Sequence, residues 1–388
     1  MFSNTIKPRR SMQKYDKLNM LFFSAIVFML MLRRYIKIIF PDSSKIMVVA
    51  PLLFYVPVLL LLVRFIIQKR HNKTEICLLI LSCILYVANR EGVIMIMILL
   101  ASMARDIDDE YIVRNYVLMT LVLIILGMFV ANIFPFLTKD AESHYRITES
   151  AYILRETFGF FNPNMMFIFT LAIFAGYIFL RYENYNRIDR IILLALTVFI
   201  YLTTKSRTGL VSIVAGLIVV EVLKRIDLRR NKAARILVES MPVILLVVSM
   251  GLGVFFAKNT AMNDLLSSRP RYWSVYLSEH YSLFNLFGHK FSDAIKLENP
   301  LDSSYIFIYA MLGIVSLIFV LYLIIRGLHI LVEQGKTKYI AIVLLYLLFA
   351  FSENVLLEVA YNFTLIILVK YVIDSDRHDF EVRGLIRK

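Results

Sequence analysis

The sequence predicts an all-α integral membrane protein that crosses the bilayer about twelve times. Hydrophobic residues make up 59% of the 388-residue chain, and its mean hydropathy is +0.71. Apolar runs of about 18 to 25 residues recur along its length, each long enough to cross a hydrocarbon core. Only helices satisfy their backbone hydrogen bonds segment by segment in lipid, and the runs lack the alternation of barrel strands. We therefore expect a helical bundle that forms one membrane domain over residues 1–388.

The apolar runs give the positions of the predicted spans, and the charges between them give the topology. The spans cover roughly residues 18–40, 46–64, 75–89, 92–104, 112–136, 164–181, 189–203, 208–223, 236–256, 303–325, 338–352 and 357–374. The third and fourth are short and close together, so one long helix is the alternative. With twelve spans and a cytoplasmic N-terminus, the inner loops beyond residue 92 hold roughly twice as many Lys and Arg as the outer loops, whereas one long helix would reverse this ratio. The charges therefore favour two helices and place both termini in the cytoplasm.

The basic loop of residues 224–235, KRIDLRRNKAAR, is the strongest marker of the inner side. Arg33, Arg34 and Lys37 break the pattern near the outer end of the first span, and we expect them to snorkel outward. The net charge of +14 would suggest nucleic acid in a soluble protein. In this chain, topology and acidic lipid headgroups explain the charges in short loops, so we expect no nucleic-acid partner.

Two longer polar segments, residues 137–163 and 257–302, are predicted to lie on the outer side. Both mix aromatic residues, cations and carboxylates, which is typical of packed loops that carry a site. In the second, Ser268-Arg269-Pro270 predicts the start of a helix. The stripe of Trp273, Tyr276, Leu277, Tyr281 and Phe284 has helical spacing. This helix either lies on the membrane or over a cavity, or only packs the loop down.

Several motifs of other enzyme classes are absent from the sequence. It has no phosphate-binding loop, no H-E-x-x-H and no G-x-S-x-G, so we expect neither metal nor cofactor. The outer side instead holds the cations Arg155, Lys205, Arg207, Arg269 and Arg271 and the carboxylates Glu156, Glu279 and Asp302. Guanidinium groups bind phosphate oxygens bidentately and tolerate partial burial. Such cations beside aromatic residues suit a lipid-linked phosphate or pyrophosphate that carries sugar.

Four patches follow one another in this region: RETFGFFNPN (155–164), TKSRTGL (204–210), Arg271-Tyr-Trp273 with Leu286-Phe-Gly288, and Asp302-Ser-Ser-Tyr305 with Met311-Leu-Gly313-Ile. In this order they resemble the signature of the O-antigen and capsular polysaccharide polymerase/ligase superfamily. They cover about residues 150 to 315, and the N-terminal third matches only as membrane spans. Ligase members usually carry a His where this chain has Asp302 or its neighbours. This departure favours the polymerase, while His280 and His289 leave the ligase open.

The resemblance implies a function at a bacterial cytoplasmic membrane. It implies an inverting glycosyltransferase, independent of metals and cofactors, that joins polyprenyl-pyrophosphate-linked oligosaccharide repeats in capsule, exopolysaccharide or O-antigen biosynthesis. The implied partners are that lipid-linked oligosaccharide as donor and acceptor, the bilayer, a chain-length regulator and a flippase. Because twelve helices are also common in transporters, a flippase for lipid-linked oligosaccharides is the alternative of another class.

Arg207 and Asp302 are the predicted catalytic residues. Arg207 is expected to clamp the donor pyrophosphate and stabilise the charge that builds on the leaving group. Lys205 would add a second positive charge, or would only anchor the chain at the interface. Asp302 is the predicted base for the acceptor hydroxyl; the alternative is that it caps the next span together with Ser303 and Ser304.

The remaining predictions concern substrate contacts on the same side. They fall on Arg155, Arg271, Asn162, Asn164, Tyr305 and Glu353. For the two asparagines the alternative is helix capping, and for Tyr305 it is the interfacial aromatic belt. Glu353 and Glu358 are costly so close to lipid, so each should face a cavity or a cationic partner, and either could replace Asp302 as the base.

Overall fold

The computed structural model describes residues 10–40, 48–68, 71–133, 144–147, 152–160, 162–278 and 285–386. Helices lie at every predicted span. They are α1 (Arg10–Ile39), α2 (Val49–Ile67), α3 (Lys73–Asn89), α4 (Val93–Ala104), α5 (Asp109–Ile133), α6 (Met165–Arg181), α7 (Arg187–Thr204), α8 (Arg207–Leu223), α9 (Lys232–Phe255), α10 (Thr260–Leu265), α11 (Arg269–Tyr276), α12 (Asp293–Glu298), α13 (Ser304–Phe307), α14 (Gly313–Glu333), α15 (Thr337–Ala350) and α16 (Phe363–Ile386).

The number of helices able to cross a membrane is smaller than predicted. Within the described residues, five helical segments are long and apolar enough: Val49–Ile67, Asp109–Ile133, Met165–Asn184, Lys232–Phe255 and Ser304–Glu333. The prediction of about twelve spans is therefore not met, although the apolar helices fit an all-α membrane protein. Length is one reason, since α4 has 12 residues and α15 has 14. At about 1.5 Å per residue, such helices are shorter than a hydrocarbon core.

The third and fourth predicted spans are two helices, as the charges favoured. Arg90 follows α3 in the left-handed conformation, with φ of 64°, and its N–H donates to the carbonyl of Tyr86. A left-handed residue at this place ends a helix, and α4 begins after Gly92. The two helices then pack against each other, so the single long helix is excluded.

Short connections make successive helices antiparallel, so the helix termini gather at two ends of the bundle. We call these the Glu353 end and the Asp109 end, after a buried carboxylate in each. The short helix α15 runs between them, buried along nearly its whole length, in contact with α6, α8, α9, α14 and α16. By contrast, α2 exposes Leu52, Tyr55 and Leu59, as expected of a helix that faces lipid.

A small hairpin is an addition to the predicted all-α class. Strands β1 (His144–Ile147) and β2 (Tyr152–Arg155) pair antiparallel, with His144 opposite Arg155. The hairpin belongs to the predicted outer loop 137–163, of which residues 137–143, 148–151 and 161 lie outside the described residues. Arg155, the last residue of β2, belongs to the candidate site.

The second predicted loop is packed onto the bundle. Helix α11 begins at Arg269 with Pro270 in its first turn, as predicted. Trp273 and Tyr276 are buried, and the Trp273 ring meets the ring of Phe351 edge-on, with ring centres 5.6 Å apart. Trp273 and Tyr276, the buried members of the stripe, therefore pack the loop down onto the bundle. Glu279, His280, Tyr281 and Phe284 fall outside the described residues.

A break in one long helix makes room for a loop segment, so that residues 286–288 and 311–314, which belong to two of the sequence patches, come into contact. Between α13 and α14, residues 308–312 form a π turn, and the segment 285–289 fills the break. Its Asn285 side chain donates to the carbonyl of Ala310 at 3.0 Å, and Ile314 N–H donates to the Asn285 carbonyl at 2.8 Å. Gly288 and Gly313 have φ of 90° and 88°, and a methyl group on either would collide with backbone atoms of the other segment. Only glycine fits both positions.

A buried ion pair and its hydrogen bonds connect the helices at the Asp109 end. Lys370 of α16 lies 2.7 Å from an oxygen of Asp109 and donates to the carbonyl of Ile107. The hydroxyls of Tyr339 and Tyr371 donate to the other Asp109 oxygen at 2.9 and 2.8 Å. Because each buried charge has a partner, the cost of desolvating it is offset. The network joins the beginning of α5 to α15 and α16.

Candidate functional site

The candidate site is built on the loop of residues 351–362, which connects α15 to α16 at the Glu353 end. The Ser304 hydroxyl donates to the Glu353 carbonyl at 2.9 Å and accepts from the N–H groups of Val355 and Leu356 at 2.9 and 3.0 Å. One buried side chain thus satisfies three backbone groups of the loop. The loop is thereby fixed against the start of α13, directly after Asp302.

Arg269 is the centre of the site. It begins α11, and only 4% of its surface is exposed. Its Nε and Nη2 donate to the carbonyl of Ser352 at 3.2 and 3.1 Å, and Nη2 also donates to Glu353 Oε1 at 3.1 Å. The same Nη2 lies 3.1 Å from Asp302 Oδ2. A single buried guanidinium therefore joins two carboxylates that are distant in the sequence.

Asn164 and Arg155 extend this set of contacts to a third part of the chain. The Asn164 amide donates to Glu353 Oε1 at 3.1 Å and accepts from Arg155 Nη2 at 2.9 Å. Arg155 Nε donates to the carbonyl of Thr204 at 2.9 Å. We call Arg155, Asn164, Arg269, Asp302 and Glu353 the Arg269 network. It links β2, α6, α11 and the loops before α13 and after α15.

The two carboxyls of the network differ in exposure. Burial and the nearby Asp302 together raise the pKa of Glu353 to about 8, against the opposing effect of Arg269. Burial also raises the pKa of Asp302, again against Arg269. The side chain of Asp302 is 30% exposed, whereas that of Glu353 is 6% exposed. Asp302 is therefore the carboxyl that a ligand can reach, and a proton on Glu353 leaves the network with a net positive charge.

Arg207 and Lys205 lie beside the network but outside it. Arg207 is exposed at the first position of α8, and its Nη1 donates to the carbonyl of Asp264 at 3.3 Å. Lys205 is half-buried and ends α7 with φ of 52°. The bond from Arg155 to Thr204 attaches the network to this turn. The Arg207 guanidinium is thus much less constrained than that of Arg269.

The other predicted contact residues have different placements. Asn162 accepts from the N–H of Asn164 at 2.9 Å, a local turn just before α6, and among the described residues no side-chain bond caps that helix. Arg271 is exposed and lies over the ring of Tyr272, away from the network. Tyr305 is 1% exposed, and its hydroxyl donates to the carbonyl of Leu347. The prediction that Tyr305 contacts a sugar or belongs to the interfacial belt is corrected, because the tight packing around its ring places it in the core.

Two expectations about charge partners have clear outcomes. Glu353 and Glu358 both have a cationic partner, as predicted: Arg269 for the first and Arg34 for the second. Arg34, which was expected to snorkel outward, reaches the loop at the Glu353 end: its Nε donates to the Tyr361 hydroxyl at 3.1 Å and lies 3.4 Å from Glu358. An available carboxylate turns this arginine toward the protein.

Sequence reasoning missed the role of Arg269, which it treated as one of several outer cations. The available signal was the Pro270 that follows it, because a proline in the first turn fixes the direction of the preceding residue. Ser304 and Ser352 were missed as well, since serines before and after helices usually act as local caps. Here the Ser304 hydroxyl binds backbone groups about 50 residues away, and the Ser352 carbonyl accepts from the Arg269 side chain 83 residues away.

The arrangement supports proton transfer and anion binding. Asp302 is a partly exposed carboxyl held in place by Arg269, and Arg207 is an exposed cation at the same end of the bundle. Within the described residues, no group of three or more His, Cys, Asp or Glu is placed to hold a metal ion. Comparisons of the chain with protein-family models, with curated proteins and with solved structures find no match.

Proposed function

We propose that the protein is a polysaccharide polymerase, a membrane glycosyltransferase that joins polyprenyl-pyrophosphate-linked oligosaccharide repeats. The observation that carries the proposal is the position of Asp302, a reachable carboxyl fixed by Arg269 in a network that is bonded through Arg155 to the α7–α8 turn. A base close to an anion-binding group is what transfer from a sugar pyrophosphate to a hydroxyl requires. The resemblance of the four sequence patches supports the same reaction.

In the proposed reaction, Asp302 accepts the proton of the acceptor hydroxyl. The hydroxyl oxygen forms a bond to the anomeric carbon of the donor sugar while the bond from that carbon to the pyrophosphate oxygen breaks. The polyprenyl pyrophosphate leaves with the bonding electrons, and the configuration of the sugar inverts. Because its pKa is raised by burial, Asp302 is a better proton acceptor than an ordinary aspartate. Arg207 stabilises the negative charge that builds on the leaving group.

Arg269, Asn164 and Glu353 act as positioning residues in this proposal. Arg269 holds the Asp302 carboxyl, and its other donors bind Glu353 and the carbonyls of Ser352 and Leu266. Asn164 connects Glu353 to Arg155, so the strand that carries Arg155 stays aligned with the base. None of the three needs to touch the substrate.

We also propose how the protein is oriented and in which membrane it lies. The Glu353 end faces the outside of a bacterial cytoplasmic membrane, both termini are cytoplasmic, and helices shorter than a full span sit among the longer ones. The lipid-linked oligosaccharide serves as donor and acceptor, after a flippase has delivered it. A chain-length regulator is a further partner.

The test of the proposed function supplies the purified protein with a polyprenyl-pyrophosphate-linked repeat in proteoliposomes. We expect a ladder of multimers. Transfer of a single chain to a different acceptor would make the protein a ligase. Movement of the lipid-linked repeat between leaflets without new glycosidic bonds would make it a flippase.

The same assay tests the residues. Arg207→Ala and Asp302→Asn should each reduce ladder formation by at least about a hundredfold, the range found when a transition-state donor or a general base is removed. The matched control is Arg114→Gln, an exposed cation of α5 that pairs with Glu110 at the other end. An active Arg207→Ala variant would show that Arg207 only anchors the chain at the interface.

A further inference from the structure

The Glu353 end holds a second group of cations that the proposed mechanism does not use. We propose that Arg33, Arg34 and Lys37 of α1 form a second anion site, which binds the diphosphate of the second lipid-linked oligosaccharide. This inference rests on the proposed function, because a polymerase must hold two diphosphate-bearing lipids at once. We call these three residues the α1 cluster.

Arg34 connects the α1 cluster to the loop that carries the Arg269 network. Its Nε lies 3.4 Å from Glu358 Oε2 and donates to the Tyr361 hydroxyl. The loop of residues 351–362 thus gives one carboxylate to each group of cations: Glu353 to Arg269, and Glu358 to Arg34. The two groups are therefore separate, and one short loop fixes their relative position.

Within the described residues, Arg33 has an unsatisfied hydrogen-bond donor, and Lys37 lies one helical turn away from it. The guanidinium of Arg33 lies over the ring of Phe54, 4.5 Å from its centre. Its Nε is buried and has no hydrogen-bond partner among the described residues. Lys37 follows one helical turn later on the same face, where a second positive charge is repulsive without an anion. A diphosphate would relieve this repulsion and supply acceptors for both side chains.

Other charges nearby do not neutralise the cluster. Glu91, in the turn between α3 and α4, interacts electrostatically with Arg33 and Lys37 and also with Lys290 and Lys296. Lys296 pairs with Asp293 as well, at 3.4 Å. Among the described residues, five cations therefore share three carboxylates, namely Glu91, Asp293 and Glu358. The excess positive charge favours a ligand with more than one negative charge.

The surroundings suit a lipid-linked ligand rather than a soluble one. Helix α2 packs against α1 and supplies Phe54 beside Arg33. The same helix exposes Leu52, Tyr55 and Leu59. An aromatic and apolar face of this kind offers a path for a polyprenyl chain whose diphosphate lies at the α1 cluster.

The test counts bound lipids by native mass spectrometry of the purified full-length protein with polyprenyl pyrophosphate. We expect two lipids on the wild type. The variant Arg33→Gln/Lys37→Gln should keep one and bind the second at least about tenfold more weakly, the effect of losing one charge-assisted contact. The control Arg225→Gln/Arg230→Gln removes two exposed cations of the basic loop and should still bind two. Binding of a single lipid by the wild type, or of two with unchanged affinity by the α1 variant, would overturn the inference.

Competition identifies the group that is recognised. Inorganic pyrophosphate should displace the second lipid from the wild type. If phosphatidylglycerol displaces it and pyrophosphate does not, the cluster binds a bilayer headgroup and the inference is wrong. Should the double variant fail to fold, Lys37→Gln alone should still weaken the second binding event, and unchanged binding by that variant would also count against the site.

Failure of this inference differs from failure of the proposed function. Two bound lipids that never yield a glycosidic bond would leave the site standing and remove the polymerase. A ladder formed by a protein whose α1 variant still binds two lipids normally would leave the polymerase standing and remove the site.

Discussion

Glu353 is the residue whose environment has the clearest consequence for stability. Its folded-state pKa of about 8 lies above the ordinary value of 4.5, because the side chain is buried beside Asp302. A carboxyl with a raised pKa binds its proton more tightly in the folded chain than in the unfolded one. Its contribution to stability is thus complete at low pH and declines as the pH rises from about 4.5 to about 8.

Glu353→Gln tests this behaviour, because glutamine resembles the protonated carboxyl and keeps an oxygen for Arg269 and Asn164. We expect the thermal midpoint of the wild type to fall between pH 5 and pH 8, and that of the variant to fall less. The measurement is a series of melting curves followed by circular dichroism across this range. Parallel pH profiles for the two proteins would show that folding does not raise the pKa of Glu353.

At the residue scale, the sequence predicted which charges need a partner but not which residue that partner is. Costly charges such as Glu353 and Glu358 were correctly expected to have cationic partners, since an unpaired charge near lipid is strongly unfavourable. Which arginine each would meet was not predictable. Arg269 and Glu353 are 84 residues apart, and Arg34 and Tyr361 are 327 apart, so only the tertiary fold brings them together.

At the scale of elements, the break between α13 and α14 is the most demanding feature. A helix that continued from Ser304 would leave no room for the segment 285–289, whose backbone bonds to residues 310, 314 and 315 depend on the π turn. In the sequence, the loop segment and the helix break are two separate patches. Helical periodicity does not predict that a loop will bind at a break in a distant helix. Their contact follows from the close approach of Gly288 and Gly313.

Gly313→Ala should destabilise the protein by more than about 2 kcal/mol, because alanine disfavours a positive φ and its methyl group meets the Leu286 carbonyl. The matched control is Gly251→Ala in α9, where an added methyl group meets no atom within 4 Å among the described residues. Alanine there should stabilise the helix by about 0.5–1 kcal/mol. Melting curves of both variants in detergent make the comparison. Equal effects of the two substitutions would contradict the interlocked glycines.

For the molecule as a whole, buried charges join distant parts of the chain at both ends of the bundle. The positions of the apolar helices were predictable, because apolar runs are a local property of the sequence, whereas the short helices α10 and α12 were not predicted. The number of full spans was not, since α4 and α15 are buried by neighbouring helices and are apolar for that reason. Burial in protein and burial in lipid select the same residues, so composition alone does not separate them.

The Asp109–Lys370 pair tests how strongly the Asp109 end holds the bundle together. Lys370→Met leaves Asp109 buried without its cation and should cost about 3–5 kcal/mol, whereas Asp109→Asn/Lys370→Met removes both charges and should cost less. The measurement is the thermal midpoint of the wild type and both variants in the same detergent. A double variant at least as unstable as the single one would show that hydrogen bonds from Tyr339 and Tyr371, and not the charge pair, stabilise this end.

The chain contains one tryptophan, Trp273, and it lies in α11, fully buried against Phe351 and close to Arg269. Intrinsic fluorescence therefore reports on a single place, the contact between α11 and the loop after α15. Its emission should be blue-shifted and resistant to acrylamide quenching at rest. Any ligand that displaces α11 would shift this emission to longer wavelength, so the unlabelled protein carries its own optical sensor of events at the Arg269 network.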